Sequence, residues 1–423
     1  MSRRICLVLV AFSLMASLGT AQYHDAKYIT GYNTIKLFDG TGTTSTISQL
    51  YDNLGYCYGM AMAPDNKSLW FCDSGTGTSG LHKLDLKTLA ITTFVTNTMT
   101  LYYPRDVVVN QDGDLVITSY GKNGSTYEYN LLKYSGGSLT KICPTQLNTS
   151  NWYGGMEIGI DSGKYTIQAR QSPYYLIEID EAGTITTLGS GGAPRYSITQ
   201  DIKTGDWYQG SFTSLYKLAK GTTAFASVAL TPTTSKYYYA LAMDRASAAK
   251  SRIVSTYGGS TSGTSPAYVF YTDITTSPAV VTSISALGYL RSYEMEFHRG
   301  NNLCTAKTGA GKWDINLSFP SEASMGYIVA MSFTGVRPAM HTLGDGRTIN
   351  LAFDMLTFLS VNNLLGFYFN PGPGALDAAG EATASIDVSS LGSLGGIRVW
   401  IEAAVFQGGV FGTIADPVGI TMP

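Results

Sequence analysis

Gly59-Met60-Ala61-Met62-Ala63-Pro64-Asp65-Asn66-Lys67-Ser68-Leu69-Trp70-Phe71-Cys72-Asp73 reads as two short strands around a turn. Large and small apolar residues alternate through the first strand, Pro64-Asp65-Asn66 supplies the turn chemistry, and an aromatic-rich run forms the second strand. A hairpin of this kind cannot bury its apolar faces alone, so the next step is to ask whether it is repeated.

It is. Aligned on Met60, the residues Val107, Met156, Ile198, Leu241 and Met295 fall at the same point, at spacings of 47, 49, 42, 43 and 54 residues. Each copy opens with an alternating strand: Asp106 to Val109, Gly155 to Ile158, Ser197 to Gln200, Ala240 to Met243 and Glu294 to Phe297. The clearest copies continue into a third and fourth strand, as in Leu81 to Asp85 followed by Ala90 to Phe94, and Tyr175 to Asp180 followed by Thr184 to Leu188. Four strands in roughly 45 residues, repeated six times, is the period of a β-propeller blade. The sixth copy stops after Asn302 to Ala306, and the missing outer pair is present at the other end, in Thr34 to Gly40 and Thr44 to Ile47. The expectation is a six-bladed propeller closed two-plus-two by N-terminal strands, with residues 28 to 50 completing the last blade.

From Trp313 the blade period is lost. About seven strands between Asp314 and Met422 read as a C-terminal β-sandwich. The chain is therefore read as all-β, with residues 1–21 a signal peptide, 22–308 the propeller and 309–423 the sandwich.

The run Gly59-Met60-Ala61, Pro64-Asp65-Asn66 and Cys72-Asp73-Ser74-Gly75 resembles the NHL and SMP-30-like group of secreted propellers. In lactonases of that group a divalent metal is held in the channel by Glu, Asn and Asp, so the resemblance implies a fold and, more distantly, a metal-dependent hydrolase. The equivalents of those metal ligands are not assignable residue by residue in this sequence. Asp345-Gly346-Arg347-Thr348-Ile349, Ala384-Ser385-Ile386-Asp387 and Gly395-Gly396-Ile397-Arg398-Val399-Trp400 resemble a C-terminal module of secreted proteins from planctomycete-type bacteria, which implies a sandwich over residues 313–423.

Composition narrows the function classes. Ser2-Arg3-Arg4, an apolar run from Ile5 to Leu18 and Gly19-Thr20-Ala21 form a signal peptide cleaved near Ala21, so the protein is expected to be secreted or periplasmic. No later segment is apolar for long enough to span a bilayer, and the mature chain is expected not to be membrane-spanning. Charged residues make up 14% of the chain and the net charge is −2, which leaves no basic patch for nucleic acid. Cys57, Cys72, Cys143 and Cys304 remain after cleavage; they could pair into two disulfides in one of three ways or stay free and buried.

One pattern rises above the fold. Aromatic residues cluster just before the inner strand of every copy, and several have a basic neighbour: Tyr58; Tyr103 with Arg105; Tyr153; Arg195 with Tyr196; Tyr239; Arg291 with Tyr293. Connections into the inner strands of a propeller all lie on one face, so these residues would form a ring around the channel mouth. Tyr offers a flat apolar surface with a polar handle and Arg offers paired donors for carboxylates. The bland reading is that the rings pack between blades, with an Arg lying against one of them. Glu157, Asp201, Asp244 and Glu296 lie on or at the ends of inner strands and would hold a hard cation such as Ca2+ if they converged. His298, after the sixth inner strand, could act as a general base near Tyr293 and Arg291. No nucleophile elbow or phosphate loop is present.

The reading is a secreted, non-enzymatic binding protein whose propeller face takes a glycan or an extracellular protein. The alternative is a metal-dependent, lactonase-like hydrolase or a polysaccharide lyase acting in the channel.

Overall fold

A computed structural model describes residues 26–31, 34–41, 44–51, 57–64, 67–74, 79–96, 101–123, 126–143, 153–169, 174–192, 197–211, 214–231, 238–244, 252–257, 267–288, 292–297, 303–319, 322–337, 341–343, 347–391 and 394–422. The signal peptide read at residues 1–21 lies outside them. The described chain is nearly all β and divides into two compact units, one of Asp25–Asp244 with Lys250–His298 and one containing Arg299–Pro423.

Antiparallel four-stranded meanders recur through the first unit. The first runs Cys57–Met62, Ser68–Asp73, Gly80–Asp85, Ile91–Thr96, and the second Tyr103–Val109, Leu115–Asn123, Thr126–Ser135, Ser138–Lys141. The third is Tyr153–Ile158, Tyr165–Ala169, Tyr175–Ile179, Ile185–Ser190, and the fourth Ile198–Gln200, Trp207–Gly210, Leu215–Leu218, Ala226–Ser227. The fifth, Tyr238–Asp244, Arg252–Tyr257, Ala267–Asp273, Ala279–Gly288, gains a parallel edge strand, Leu230–Thr231. In each sheet the first strand is innermost, and successive inner strands pack on one another. Sheets stacked this way are those of a β-propeller.

The last sheet departs from the expected sharing. Ser292–Phe297 pairs with Ala26–Gly31, which continues into Thr34–Thr41 and Thr44–Tyr51, so one strand comes from the C-terminal side and three from the N-terminal side. Ser292–Phe297 also packs on the inner strands of both the fifth and the first sheets. The strand expected at Asn302 to Ala306 belongs elsewhere. Leu303–Gly309 turns tightly into Lys312–Ser318, and Leu303 is buried with Trp313 and Ile315 in the core of the other unit. A local hairpin with its own apolar alternation outcompetes the more distant pairing.

Strand alternation explains how the sheets stack. Met60 and Met62 are buried with Ile35 of the last sheet, whereas Ala61, between them, is buried with Val107 and Ile117 of the second. The residues one before and one after each aligned apolar point thus face the next sheet, and several of them hydrogen-bond its backbone. Asp106 Oδ2 accepts from Met156 N at 2.6 Å, Glu157 Oε2 from Gln200 N at 3.0 Å and Thr199 Oγ1 from Met243 N at 3.1 Å. Ser197 donates its hydroxyl to Leu241 O at 3.0 Å. Gly59 holds the equivalent place in the first sheet, and a β-carbon there would sit 2.4 Å from the Asp106 Cα. Only glycine permits that approach. Cys57 and Cys72 are buried on opposite faces of the first sheet, each a free thiol.

The second unit stacks two antiparallel sheets. One contains Leu303–Gly309, Lys312–Ser318, Glu381–Asp387 and Phe369–Asn370; the other contains Gly326–Ser332, Arg398–Gln407, Val410–Ile414 and Val418–Thr421. Trp313, Ile315 and Ile386 from one meet Val329, Val399 and Ile401 from the other in a shared core. Helix α1, Met355–Val361, was not anticipated from the sequence. The Asp354 carboxylate accepts from Thr357 N, and the Thr357 hydroxyl accepts from Asp354 N, forming a capping box.

Candidate functional site

The aromatic and basic residues at the entrances of the inner strands share a backbone feature that composition does not reveal. In the first sheet Cys57 pairs with Asp73 and Gly59 with Cys72, leaving Tyr58 as an extra residue. Arg105 is the extra residue between Pro104 and Asp106, Tyr239 between Tyr238 and Ala240, and Tyr293 between Ser292 and Glu294. In the third sheet the extra residue falls at Gly154-Gly155, directly after Tyr153. The bulge therefore recurs two residues before the aligned apolar point in five of the inner strands; the fourth begins at Ile198, and its equivalent, Tyr196, lies outside the described residues. A bulge bends its strand and re-aims the extra side chain out of the regular alternation. These residues thereby leave the regular inward–outward alternation that fixes the positions on either side of them.

Adjacent bulge residues touch where both side chains are described. The Arg105 guanidinium carbon lies 4.3 Å from the centre of the Tyr58 ring, and both residues are half-buried. Next to them the Tyr102 and Tyr103 rings meet edge to face at 4.4 Å. Tyr103 also stacks on Tyr120 at 6.3 Å, and Tyr120 tilts against Tyr129 at 4.6 Å, so tyrosines run across three strands of the second sheet. Ser79 donates its hydroxyl to Tyr102 O at 2.7 Å, and Ser74 donates to Pro104 O, fixing this entrance to the first sheet. Tyr58, Tyr103 and Arg105 are therefore brought together. Tyr103 is half-buried, neither sealed between sheets nor fully exposed. The side chains of Tyr153, Tyr239 and Tyr293 lie outside the described residues, as do Arg195, Tyr196 and Arg291 altogether.

The carboxylates proposed as cation ligands have other partners in the described structure. Glu157 bridges to the backbone of the fourth sheet. Asp201, 2% exposed, accepts from Lys203 N at 2.9 Å and from the Thr204 hydroxyl at 3.0 Å, closing the turn after its strand. Among the described residues no three His, Cys, Asp or Glu side chains form a metal-holding group. The side chains of Asp244 and Glu296, and all of His298, lie outside the described residues.

No protein-family model matches the chain, and no curated protein matches it in sequence. Among solved structures it is similar to a chain of a nidogen/laminin complex, with TM-score 0.48 and 10% identity over 64% of this chain and 98% of that one. It is similar to TolB from Acinetobacter baumannii, with TM-score 0.48 and 12% identity over 70% of this chain and 73% of that one. It is similar also to a gluconolactonase from Xanthomonas campestris, with TM-score 0.42 and 16% identity over 58% of this chain and 90% of that one. The fold assignment rests on the strand pairing described above.

Proposed function

We propose that the chain is an exported, six-bladed β-propeller, its last blade shared between the two ends of the propeller segment, that binds a glycan or an extracellular protein on the face carrying the bulge residues. The C-terminal sandwich serves attachment or assembly. The observation that carries this reading is the recurrence of a bulge at one register, occupied by Tyr58, Arg105, Tyr239 and Tyr293. Tyr rings favour sugar faces and peptide side chains, and an Arg resting on an aromatic ring presents its N–H groups to a carboxylate. A ligand that combines flat apolar surface with acidic groups suits this combination.

The test is a screen of the purified mature protein against immobilised glycans and extracellular proteins, followed by Tyr58→Ala, Arg105→Ala and Tyr239→Ala on any hit. Loss of about tenfold or more in affinity, at an unchanged thermal midpoint, is expected for bulge variants in contact with ligand. Undiminished binding by all three would place the ligand elsewhere and refute the proposal.

A further inference from the structure

The sandwich unit carries an apolar surface that its own core does not use. Helix α1 turns Leu356, Thr357 and Ser360 inward: Leu356 is buried in the core, the Thr357 hydroxyl donates to Ala352 O at 3.0 Å, and the Ser360 hydroxyl accepts from Met331 N at 3.0 Å. The helical period then places Met355, Phe358 and Leu359 on the opposite side, away from the core. Asp354 ties a neighbouring turn to the same surface. Its Oδ2 accepts from Phe333 N at 2.7 Å and from Thr334 N at 2.9 Å, which holds Phe333 close to Phe353 and Met355, the residues flanking Asp354. Past the helix, Leu364 N donates to Leu359 O at 2.8 Å, and the Phe367 and Tyr368 rings meet at 4.1 Å.

Area and charge together indicate what covers this surface. Phe333, Phe353, Met355, Leu364 and Phe367 are each between 54% and 76% exposed. Large apolar side chains carry roughly 200 Å² each, so these five leave about 600 Å² open. Half-buried Phe358, Leu359 and Tyr368 bring the total toward the ~800 Å² per partner of a stable protein–protein interface. Soluble monomers seldom expose so large an apolar patch. Between Asp354 and Asp377 no residue is charged, and between Arg347 and Arg398 there is no Lys or Arg. The face therefore lacks the basic residues with which an amphipathic helix holds a lipid surface. The Asp354 carboxylate is itself engaged by the Ser332 hydroxyl and by Phe333, Thr334 and Thr357 N–H groups. An uncharged apolar face can meet its own copy across a two-fold axis without repulsion, and the copy brings the matching apolar area.

We propose that this face of the sandwich is a homodimer interface, in which helix α1 with Phe333, Phe353, Leu364 and Phe367 packs against the same residues of a second copy of the chain. The proposal rests on the reading of the sandwich as the module for attachment or assembly, and it names the partner. It is independent of ligand binding at the bulge face.

The test is sedimentation equilibrium of the full-length mature protein from nanomolar to tens of micromolar, where the wild-type mass is expected to rise to that of a dimer. Met355→Glu places an acid in the first turn of α1, where the helix dipole favours it, so the fold is kept while two like charges are forced into the interface. Met355→Glu and Phe367→Glu are each expected to raise the dimer dissociation constant about tenfold or more, with unchanged circular dichroism. If Met355→Glu fails to fold, Phe367→Glu decides. Ile185→Lys, on an exposed apolar residue of the propeller unit, and Tyr58→Ala, at the bulge face, should both remain dimeric. A wild type that is monomeric throughout overturns the proposal and leaves the bulge-face reading untouched. A dimer that survives both glutamate variants, or one that Ile185→Lys also dissociates, overturns it as well. Flotation of monomeric wild type with phosphatidylcholine vesicles, lost in Met355→Glu, would assign the face to a lipid surface and overturn it too.

Discussion

Replacing Asp106 should loosen the propeller unit at one definable contact. Asp106 is 3% exposed; its Oδ2 accepts from Met156 N of the third sheet at 2.6 Å, and its Oδ1 from Val107 N at 2.8 Å. Alanine removes a charged acceptor worth about 1.5–3 kcal/mol and strands a buried Met156 N–H, at about 1–3 kcal/mol. Part of this overlaps, so Asp106→Ala is expected to cost roughly 3–5 kcal/mol, a large share of the stability of a typical domain. Asn is a sharper probe than it looks. It keeps one acceptor oxygen, but its NH2 must face one of the two N–H groups, so Asp106→Asn should recover less than half of the loss. The assay is urea unfolding of the mature protein, followed by tyrosine and tryptophan fluorescence, with far-UV circular dichroism to verify the native fold. A cost below about 0.5 kcal/mol for Asp106→Ala would show that apolar packing alone holds the second and third sheets together.

Glu402, buried in the sandwich, accepts from Asn350 N, from Asn350 Nδ2 at 2.9 Å and from Leu351 N at 3.2 Å, yet burial pushes its pKa from about 4.5 up to about 8. A folded-state value above the unfolded one means that the stabilisation is complete below about pH 4.5 and is lost as pH rises toward 8, by an amount on the order of 5 kcal/mol. The unfolding free energy of the sandwich should therefore fall from pH 5 to 8.5 in the wild type and much less in Glu402→Gln; parallel profiles would show that the three donors outweigh burial. Burial also raises the thiol pKa values of Cys57 and Cys72, with nearby carboxylates adding to the effect. Neither thiol should react with a thiol-specific dye at pH 8 until urea unfolds the chain, and prompt labelling of the native protein would contradict their placement. Gly59→Ala should lower the thermal midpoint, because its methyl meets the Asp106 backbone at 2.4 Å and backbone cannot rotate away; an unchanged midpoint would mean that the first two sheets can separate freely.

How much of this was legible in the sequence depends on the distance over which each signal acts. The aligned points at Met60, Val107, Met156, Ile198 and Leu241 are all buried, because one strand's alternation is written in consecutive residues. Strand sharing in the last sheet was read less well: Leu303 looked like a second strand, and only the competing hairpin with Lys312–Ser318 shows where it belongs. Helix α1 was hidden because Met355-Leu-Thr-Phe-Leu-Ser-Val361 is as good a strand as a helix by composition, although Asp354 three residues before Thr357 was a capping signal in plain view. Glu157, Thr166 and Glu178 lie on one face of the third sheet yet share no sequence motif at all. They meet because the turn lengths of the third sheet bring them into register, and turn length fixes register in a way that residue type does not.

The bulges explain why the entrance of each inner strand could vary while its middle could not. The residues one before and one after the aligned point carry the contacts to the next sheet, so Asp106, Glu157, Ser197 and Thr199 are tied to particular backbone atoms across the interface. In a regular strand, the residue two before that point would share a face with the point itself and be committed to the core. An extra residue breaks that commitment. Position 58 can then be Tyr, 105 Arg, 154 Gly and 239 Tyr without disturbing the stacking of sheets. The Tyr58–Arg105 contact lies at one such place. On the proposed binding reading, changes confined to these positions should retune affinity while the fold stays intact.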